Sequence, residues 1–262
     1  MLRGLGIDYD SPVLIGRGSF GAVYRVREKR TNRVLACKIS TCLEMAEGEA
    51  SLLGQIHHKL FPAYEAYYSW NGNSYLFMEY IAGSNLQRLL EQRGSLSQRV
   101  AVGITWEVAE GLKYLHEQCN PIIFRDIKPE NIMICQDGSA RLVDVGGAYI
   151  MSEKSVCNRV GSRGYAAPEQ LAEGGSVGVE SDVYALAKLL ATMLHGRRVA
   201  NGLGILIKQA TEVENHKRIP DMRTFMQGLS IYYKGHWRKQ ILAEWKSVGS
   251  RNKEAEFYYQ KN

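Results

Sequence analysis

The most informative stretch of the sequence is IFRDIKPEN, residues 123–131, because the spacing of three of its polar side chains serves one kind of chemistry. Asp126 is followed two residues later by Lys128 and five residues later by Asn131. An aspartate can orient an attacking hydroxyl, a lysine can offset charge on a phosphoryl group, and an asparagine oxygen can bind a divalent metal. Solvated loops often contain these residue types but seldom at this spacing, so the stretch favours phosphoryl transfer.

A second aspartate follows in the stretch DVG, residues 144–146. Two short apolar runs, residues 132–134 and 140–143, predict strands on the two sides of a Gln-Asp-Gly turn. An aspartate at the end of such a strand, followed by two glycines, can hold Mg²⁺ against phosphate oxygens. Taken alone, an aspartate before a turn would carry little information.

Upstream lies a glycine cluster, GRGSFG, at residues 16–21. In a dinucleotide-binding fold a helix should follow such glycines. Here residues 22–26, AVYRV, predict a strand instead, which places the glycines in a hairpin loop. Without side chains, the backbone N–H groups of that loop can lie close over phosphates. An ordinary β-turn is the alternative if this motif is taken by itself.

A single lysine, Lys38, interrupts the apolar stretch VLACKI at residues 34–39. Such a lysine normally faces water, but it can hold two phosphates if a carboxylate positions it. The helix predicted over residues 43–56 offers Glu49, which shares a face with Leu53 one turn later. Glu47 and Glu44 are alternative partners, and an unpaired surface lysine also stays open.

These motifs, in this order, resemble the signature set of the eukaryotic-type (Hanks-type) Ser/Thr protein kinase catalytic domain, from about residue 13 to residue 230. Further residues extend the resemblance: the stretch Ala167-Pro168-Glu169, and Arg218, which the family pairs with that glutamate. A helix around residues 181–186 is similar to the family's central buried helix. There, Asp182 would accept hydrogen bonds from the backbone of the 123–131 loop.

The resemblance implies an α+β, bilobal protein-kinase-like fold. Residues 1–80 would form a small antiparallel β-rich N-lobe with one main helix, and residues 81–84 a hinge. Residues 85–249 would form a larger, mostly α-helical C-lobe, followed by a polar tail over residues 250–262.

The resemblance also implies ATP as the phosphoryl donor, with Mg²⁺ as the metal and Mn²⁺ as its substitute. Asp126, Lys128, Lys38 and Glu49 would be catalytic, and Asn131 and Asp144 would hold the metal. The hinge backbone would bind adenine, Met78 would be the gatekeeper, and three apolar side chains would sandwich the purine, although core packing also explains the apolar ones. The full nucleotide-binding set is Gly16, Gly18, Ser19, Phe20, Gly21, Val23, Ala36, Lys38, Met78, Glu79, Ile81 and Met133.

The activity implied is transfer of the γ-phosphoryl group of ATP to serine or threonine hydroxyls of protein substrates, with autophosphorylation. Lys128, two residues after the catalytic aspartate, is typical of Ser/Thr kinases rather than tyrosine kinases. Two alternatives stay open: a pseudokinase scaffold, and a small-molecule phosphotransferase of kinase-like fold. The intact charged residues oppose the first, and the 167–169 motif with Arg218 opposes the second.

Composition narrows the class of protein. The chain has 262 residues, 45% of them hydrophobic and 23% charged, as in a globular domain. The net charge of +6 fits either a solvated basic surface or attraction to acidic partners. Five scattered cysteines without a C-x-x-C pair argue against zinc and fit a reducing cytosol. With no apolar leader and no spanning stretch, the expectation is a cytoplasmic protein with no membrane segment in this chain and no nucleic-acid partner.

The sequence departs from the family at three places. Phe124 stands where the family usually has histidine, and Val145 where it usually has phenylalanine. Both positions belong to the family's apolar stack, so we expect the larger residue to compensate for the smaller one. Residues 196–202 are short where many kinases carry an extra substrate-docking helix, and we expect that helix to be missing or reduced.

Arg125 precedes the catalytic aspartate, and in such kinases a phosphate on the activation segment often pairs with this arginine. The segment offers three serines. Ser162 is better placed to support the catalytic loop, which leaves Ser152 and Ser155 as switch candidates or as ordinary loop serines.

The compensation hypothesis for the apolar stack makes one prediction. Phe124→Ala should lower the free energy of unfolding by about 3 kcal/mol or more, because a large side chain would leave a filled core position. Denaturant unfolding of the two proteins measures the difference. A fully stable and fully active variant would contradict the hypothesis.

Overall fold

The computed structural model describes residues 8–10, 12–18, 21–151 and 161–249, with side chains as far as residue 245. The chain divides into two compact units. The first holds the described residues up to Ala82 together with Val143–Gly146, and the second holds Gly83–Leu142 and the described residues from Gly147 onward. Strands dominate the first unit and helices the second, so the predicted α+β class, with a β-rich first part and a mostly helical remainder, is confirmed. The predicted lobe limits stay a prediction, and the tail over residues 250–262 lies outside the described residues.

The first unit is built on a five-stranded antiparallel sheet with strand order β1-β2-β3-β5-β4. Its strands are β1 (Val13–Gly18), β2 (Gly21–Arg27), β3 (Val34–Ser40), β4 (Tyr64–Trp70) and β5 (Asn73–Glu79). Asn71 and Gly72 join the last two strands, both with positive φ, 48° and 72°. An Asn-Gly pair in this conformation is typical of a two-residue hairpin turn and matches the right-handed twist of the strands.

Each face of this sheet packs against apolar side chains. On one face, Phe77 and Cys37 belong to a buried cluster, and the ring of Tyr9 stacks on Phe77 at 4.9 Å. Burial raises the pKa of the Cys37 thiol to about 12, which keeps this cysteine unreactive. On the other face, helix α1 (Leu43–Gln55) packs against the sheet through buried Ala46, Ala50 and Leu53, whose spacing gives the expected helical face.

The second unit is mostly helical and carries short strands beside its longest helices. Its helices are α2 (Leu86–Arg93), α3 (Gln98–His116), α4 (Pro168–Leu171), α5 (Val179–Met193), α6 (Asn201–Ala210), α7 (Met222–Ser230) and α8 (Trp237–Gly249). Its strands are β6 (Gly83–Asn85), β7 (Ile122–Ile123), β8 (Ile132–Cys135), β9 (Ala140–Leu142) and β10 (Tyr149–Ile150). Strands β6, β8 and β9 form one sheet, and β7 pairs with β10. Within the described ranges, no helix combines the length and the apolar character needed to cross a bilayer.

The connection between α5 and α6 contains no helix in the structure, where residues 194–200 form a turn and an extended stretch. The expectation of a missing or reduced helix in this segment is therefore confirmed. Leu96 N donates to Met193 O at 2.7 Å, and Arg197 Nε donates to Ser95 Oγ at 2.9 Å. These bonds tie the short connection to the loop that precedes α3.

The ion pair expected between Glu169 and Arg218 is present and buried. Arg218 donates to both carboxylate oxygens of Glu169, at 2.7 and 3.1 Å, and its guanidinium is fully buried. Burial raises the pKa of the Glu169 carboxyl, but the hydrogen bonds from Arg218 and Ser181 outweigh it, so that its pKa is lowered. The glutamate is therefore charged and fixes the start of α4 to the end of the α6–α7 connection.

Helix α8 closes the second unit. Trp237, at its first position, is buried, and its ring lies directly against Gly103 of α3. Arg238 Nε donates to Glu107 Oε1 at 2.8 Å, and Glu107 Oε2 accepts from Ala140 N at 2.8 Å. One buried carboxylate thus connects α3, α8 and the β8–β9 turn.

The contact between α3 and α8 predicts that Gly103→Ala destabilises the protein. A methyl group at this position would collide with the Trp237 ring, and such overpacking costs about 1–3 kcal/mol. Gly48→Ala is the matched control, since a Cβ there meets nothing within 4 Å and alanine favours the α1 helix by roughly 0.5–1 kcal/mol. Thermal unfolding should place the two variants on opposite sides of the wild type. Equal midpoints for both would contradict the packing described.

Candidate active site

In the first unit, Lys38 lies between two carboxylates. Its Nζ donates to Glu49 Oε1 and Oε2 at 2.8 and 2.7 Å, and to Asp144 Oδ1 at 2.8 Å. Of the three glutamates considered as partners, Glu49 is the buried one, whereas Glu44 and Glu47 are exposed. The structure therefore brings three of the predicted site residues together.

The pKa values of this cluster follow from its burial and its charges. Burial lowers the pKa of Lys38, but Coulombic attraction to Asp144 and Glu49 and the hydrogen bonds that Lys38 donates to them outweigh it and raise the pKa overall. Burial raises the pKa of Glu49, and repulsion from Asp144 adds to this, while Lys38 opposes it. With one ammonium group facing two carboxylates, the ionised cluster has an excess negative charge that a further cation would offset.

Gly146 makes this cluster possible. A Cβ on Gly146 would lie 3.1 Å from both Asp144 Oδ1 and Glu49 Oε2, and 3.2 Å from Lys38 Nζ. Any side chain here would therefore push against all three charged groups. This gives a physical reason for the glycine two residues after the aspartate.

The apolar residues expected to contact the nucleotide share one face of the sheet with Lys38. Val23 is directly opposite Lys38 in the β2–β3 pair, and Ala36 is opposite Met78 in the β3–β5 pair. Cross-strand partners point to the same side, and alternate residues of β3 do so too. Ala36 and Met78 are buried and Val23 is partly buried.

The remaining residues of the nucleotide-binding set lie at element ends. Gly16 and Gly18 belong to β1, and a Cβ on either would meet nothing within 4 Å, so space is open beside them. Gly21 has a φ of 155°, and a Cβ there would collide with the Ile39 carbonyl. Ser19 and Phe20 lie outside the described residues. Glu79 ends β5, Ile81 is buried just beyond it, and Met133 lies in β8 of the second unit.

In the second unit, the 123–131 loop gathers its polar side chains around Asp126. Lys128 Nζ lies 2.8 Å from Asp126 Oδ2, and Ser162 Oγ donates to Asp126 Oδ1 at 2.7 Å. Lys128 also donates to Ser162 Oγ at 2.9 Å. Asn131 Nδ2 donates to the Asp126 carbonyl at 2.8 Å, which leaves the amide oxygen Oδ1 to act as a ligand. The expectation that Ser162 supports this loop is confirmed.

The loop is held by a buried carboxylate of α5. Asp182, which has no exposed surface, accepts from the backbone N–H groups of Phe124 and Arg125, both at 2.8 Å. His116 Nε2 donates to the same carboxylate at 2.9 Å. The bond from Asp182 to the loop backbone was expected and is confirmed. Arg125 adopts a left-handed backbone conformation, φ 66°, directly before Asp126.

Sequence reasoning missed three side chains that fix the catalytic loop and its surroundings. They are His116, Gln170, whose Nε2 donates to the Arg125 carbonyl at 2.9 Å, and Tyr149, whose ring lies 4.5 Å from Arg125 Cζ. A histidine at a helix end, a glutamine after a proline and a tyrosine in a two-residue strand carry no distinctive local pattern. The switch candidates Ser152 and Ser155 lie outside the described residues.

Comparison with known proteins gives consistent matches. Residues 9–248 match the family model described as the protein kinase domain. The Serine/threonine-protein kinase RUNKEL of Arabidopsis thaliana is 31% identical over 70% of this chain and 14% of its own length. The human cAMP-dependent protein kinase catalytic subunit PRKX is 30% identical over 72% of this chain and 54% of its own length. Serine/threonine-protein kinase PknD of Mycobacterium tuberculosis is 33% identical over 70% of this chain and 29% of its own length. The chain thus spans about half of these relatives or less.

The bonds from Asp182 predict a local and a global effect of Asp182→Ala. Two backbone N–H groups would lose their acceptor inside the protein, so we expect a loss of about 3 kcal/mol or more in the free energy of unfolding. Amide hydrogen exchange at residues 124 and 125 should accelerate. Asp221→Ala is the control, because it removes only the cap bond from Thr224 N and should cost about 1 kcal/mol. Unchanged exchange at the two amides would contradict the assignment.

Proposed function

The chain belongs to the protein kinase family, and from that premise we propose that it transfers the γ-phosphoryl group of ATP to serine or threonine hydroxyls of protein substrates. One observation carries the proposal. All charged and amide side chains proposed for the reaction are present, and each of the two units gathers its own set: Lys38, Glu49 and Asp144 in the first, Asp126, Lys128 and Asn131 in the second.

In the first unit, Lys38 is the group that binds the inner phosphates of ATP. Its two carboxylate partners fix the ammonium group and keep it protonated. The glycine-rich stretch at residues 16–21 would cover the phosphates with its backbone N–H groups, and the open space beside Gly16 and Gly18 would leave room for them. Adenine would bind the backbone of residues 79–81 behind the gatekeeper Met78, with Val23 and Ala36 of the same unit as apolar contacts.

Asp144 and Asn131 are the residues that would hold the metal. Both supply oxygen ligands of the type that Mg²⁺ and Mn²⁺ prefer. The fit rests on two features: Asn131 uses its amide nitrogen on Asp126 and keeps its oxygen, and the cluster around Asp144 has excess negative charge. When bound, the metal would neutralise negative charge on the ATP phosphates.

In the second unit, Asp126 is the group that receives or orients the proton of the acceptor hydroxyl. The hydroxyl oxygen forms a bond to the γ-phosphorus while the bond to the ADP oxygen breaks, and the proton passes to Asp126. Lys128, already 2.8 Å from Asp126, stabilises the negative charge that develops on the transferred group. Ser162 and Asn131 hold the Asp126 carboxylate from two sides, which limits its motion before reaction.

Serine or threonine is the proposed acceptor because Lys128 follows Asp126 by two residues, and the names of several relatives agree with it. Autophosphorylation is part of the proposal. A pseudokinase scaffold is disfavoured by the intact charged set. A small-molecule phosphotransferase is disfavoured by the buried Glu169–Arg218 pair, which belongs to the part of the family pattern typical of protein substrates.

The proposal is tested by phosphorylation of the chain itself and of casein with labelled ATP and Mg²⁺. Wild type should transfer label, and Asp126→Ala should transfer at least about 100-fold less, since general base catalysis contributes roughly 10²–10⁴-fold. Acid hydrolysis of the product identifies the labelled residue. Label on tyrosine alone would overturn the Ser/Thr assignment, and transfer that persists in Asp126→Ala would overturn the role of that aspartate.

A second experiment distinguishes an effect on the Lys38–Glu49 pair from a general effect of substituting a glutamate in α1. Glu49→Gln removes the charge that positions Lys38 and should lower kcat/KM by about 100-fold or more. Glu47→Gln, one of the exposed alternatives on the same helix, should leave kcat/KM within about twofold because it contacts no charged group of the cluster. Equal effects of the two variants would rule out Glu49 as the partner that matters.

A further inference from the structure

Arg125 places a half-buried cation one residue before Asp126. Its backbone is fixed on both sides: its N–H donates to Asp182 at 2.8 Å, and its carbonyl accepts from Gln170 at 2.9 Å. A partly buried guanidinium is costly unless a partner stabilises it. The partner that the fold provides for this side chain therefore bears directly on the geometry of Asp126.

Two partners of the Arg125 side chain come from the residues just after the DVG stretch. Arg125 Nε donates to the Gly147 carbonyl at 2.6 Å, and Arg125 Cζ lies 4.5 Å from the centre of the Tyr149 ring. A guanidinium at this distance over an aromatic face is stabilised by the ring quadrupole. The guanidinium thus has a hydrogen-bond acceptor and an aromatic face within the same unit.

The Tyr149 ring is itself held at both ends. Its backbone pairs with Ile123 between β7 and β10, and its hydroxyl donates to the Val177 carbonyl at 2.7 Å. Val177 is buried and immediately precedes Gly178, the residue before α5, the helix that carries Asp182. The ring is therefore fixed to the same framework as the catalytic loop.

We propose that Tyr149 takes the place of an activation-segment phosphate: it holds Arg125, and through it Asp126, so that transfer needs no phosphate on this segment. The inference rests on the proposed kinase activity and deepens it by naming its regulation. Tyr149 is a positioning residue, since it acts through Arg125. In the common arrangement a phosphate dianion would supply the partner of this arginine. Here a carbonyl and a ring already do so, which reverses the role that the sequence suggested for Ser152 or Ser155.

The first test removes phosphate and follows the initial rate. Wild type is treated with a broad-specificity phosphatase, checked by intact mass for complete loss of phosphate, and assayed on casein without a lag. Its initial rate should stay within about twofold of the untreated protein. Ser152→Ala/Ser155→Ala, which cannot be rephosphorylated at these serines, should behave in the same way. A tenfold loss, or a lag during which the protein rephosphorylates itself, would overturn the proposal.

The second test changes the ring. Tyr149→Leu removes the aromatic face and should lower kcat about two- to thirtyfold, the range expected for a cation–π contact, while KM for ATP stays within twofold. Tyr149→Phe keeps the ring and loses the hydroxyl with its bond to the Val177 carbonyl, so its kcat should stay within about threefold of wild type. Wild-type kcat in Tyr149→Leu, or equal losses in both variants, would overturn the role of the ring.

A spectroscopic signature separates failure of this inference from failure of the proposed function. The Nε–H resonance of Arg125, assigned by its loss in Arg125→Lys, should exchange slowly in dephosphorylated wild type and in Tyr149→Phe, and rapidly in Tyr149→Leu. Rapid exchange in dephosphorylated wild type overturns the inference whatever the activity. A protected Nε–H with no transfer from any form would instead overturn the kinase activity and, with it, the regulatory claim.

Discussion

The carboxylate of Asp182 is the constraint on which the catalytic loop depends. It has no exposed surface, so its charge is tolerable only because three donors surround it: two backbone N–H groups, of Phe124 and Arg125, and His116. Those two N–H groups fix the backbone directly before Asp126, including the left-handed conformation of Arg125. A largely buried helix of the second unit, α5, thereby fixes the backbone that carries the reactive side chain, and the surrounding bonds further restrict its position.

In the first unit, the charged group that needs stabilisation is a lysine, and carboxylates stabilise it. Lys38 is largely buried, which by itself lowers its pKa, but two carboxylates outweigh this effect and raise the pKa overall. Their own excess charge is what prepares the site for a divalent cation. Gly146 gives these three charged groups the space to meet, because a side chain at this position would press against each of them. Charge and shape are therefore set by one short stretch, residues 143–146, that belongs to this unit although it is distant in sequence.

Much of the fold and the charged residues could be predicted from the sequence because their chemistry restricts residue type and spacing together. Asp126, Lys128 and Asn131 are an example, as is the Asn71–Gly72 turn. The supporting contacts could not be predicted, since Tyr149 and Gln170 are ordinary residue types whose partners lie more than twenty positions away. Ser97 shows an intermediate case: a serine at the N-cap of α3 is typical of a helix start, but its hydroxyl accepts from Gln240 of α8 instead of capping the helix. Local patterns identify positions, whereas long-range packing decides which bond each position makes.

The packing of Trp237 against Gly103 has a consequence for how the chain folds during synthesis. Synthesis proceeds from the N-terminus, and segments can begin to fold as they emerge. The sheet of the first unit is complete by residue 79, yet the aspartate that Lys38 binds emerges only with residues 143–146. The second unit waits longer still, because the ring that covers Gly103 and the arginine that neutralises Glu107 are residues 237 and 238. A nascent chain halted before α8 would therefore expose an apolar notch on α3 and leave Glu107 without its arginine, and exposed apolar surface is the feature of unfinished proteins that makes chaperones necessary.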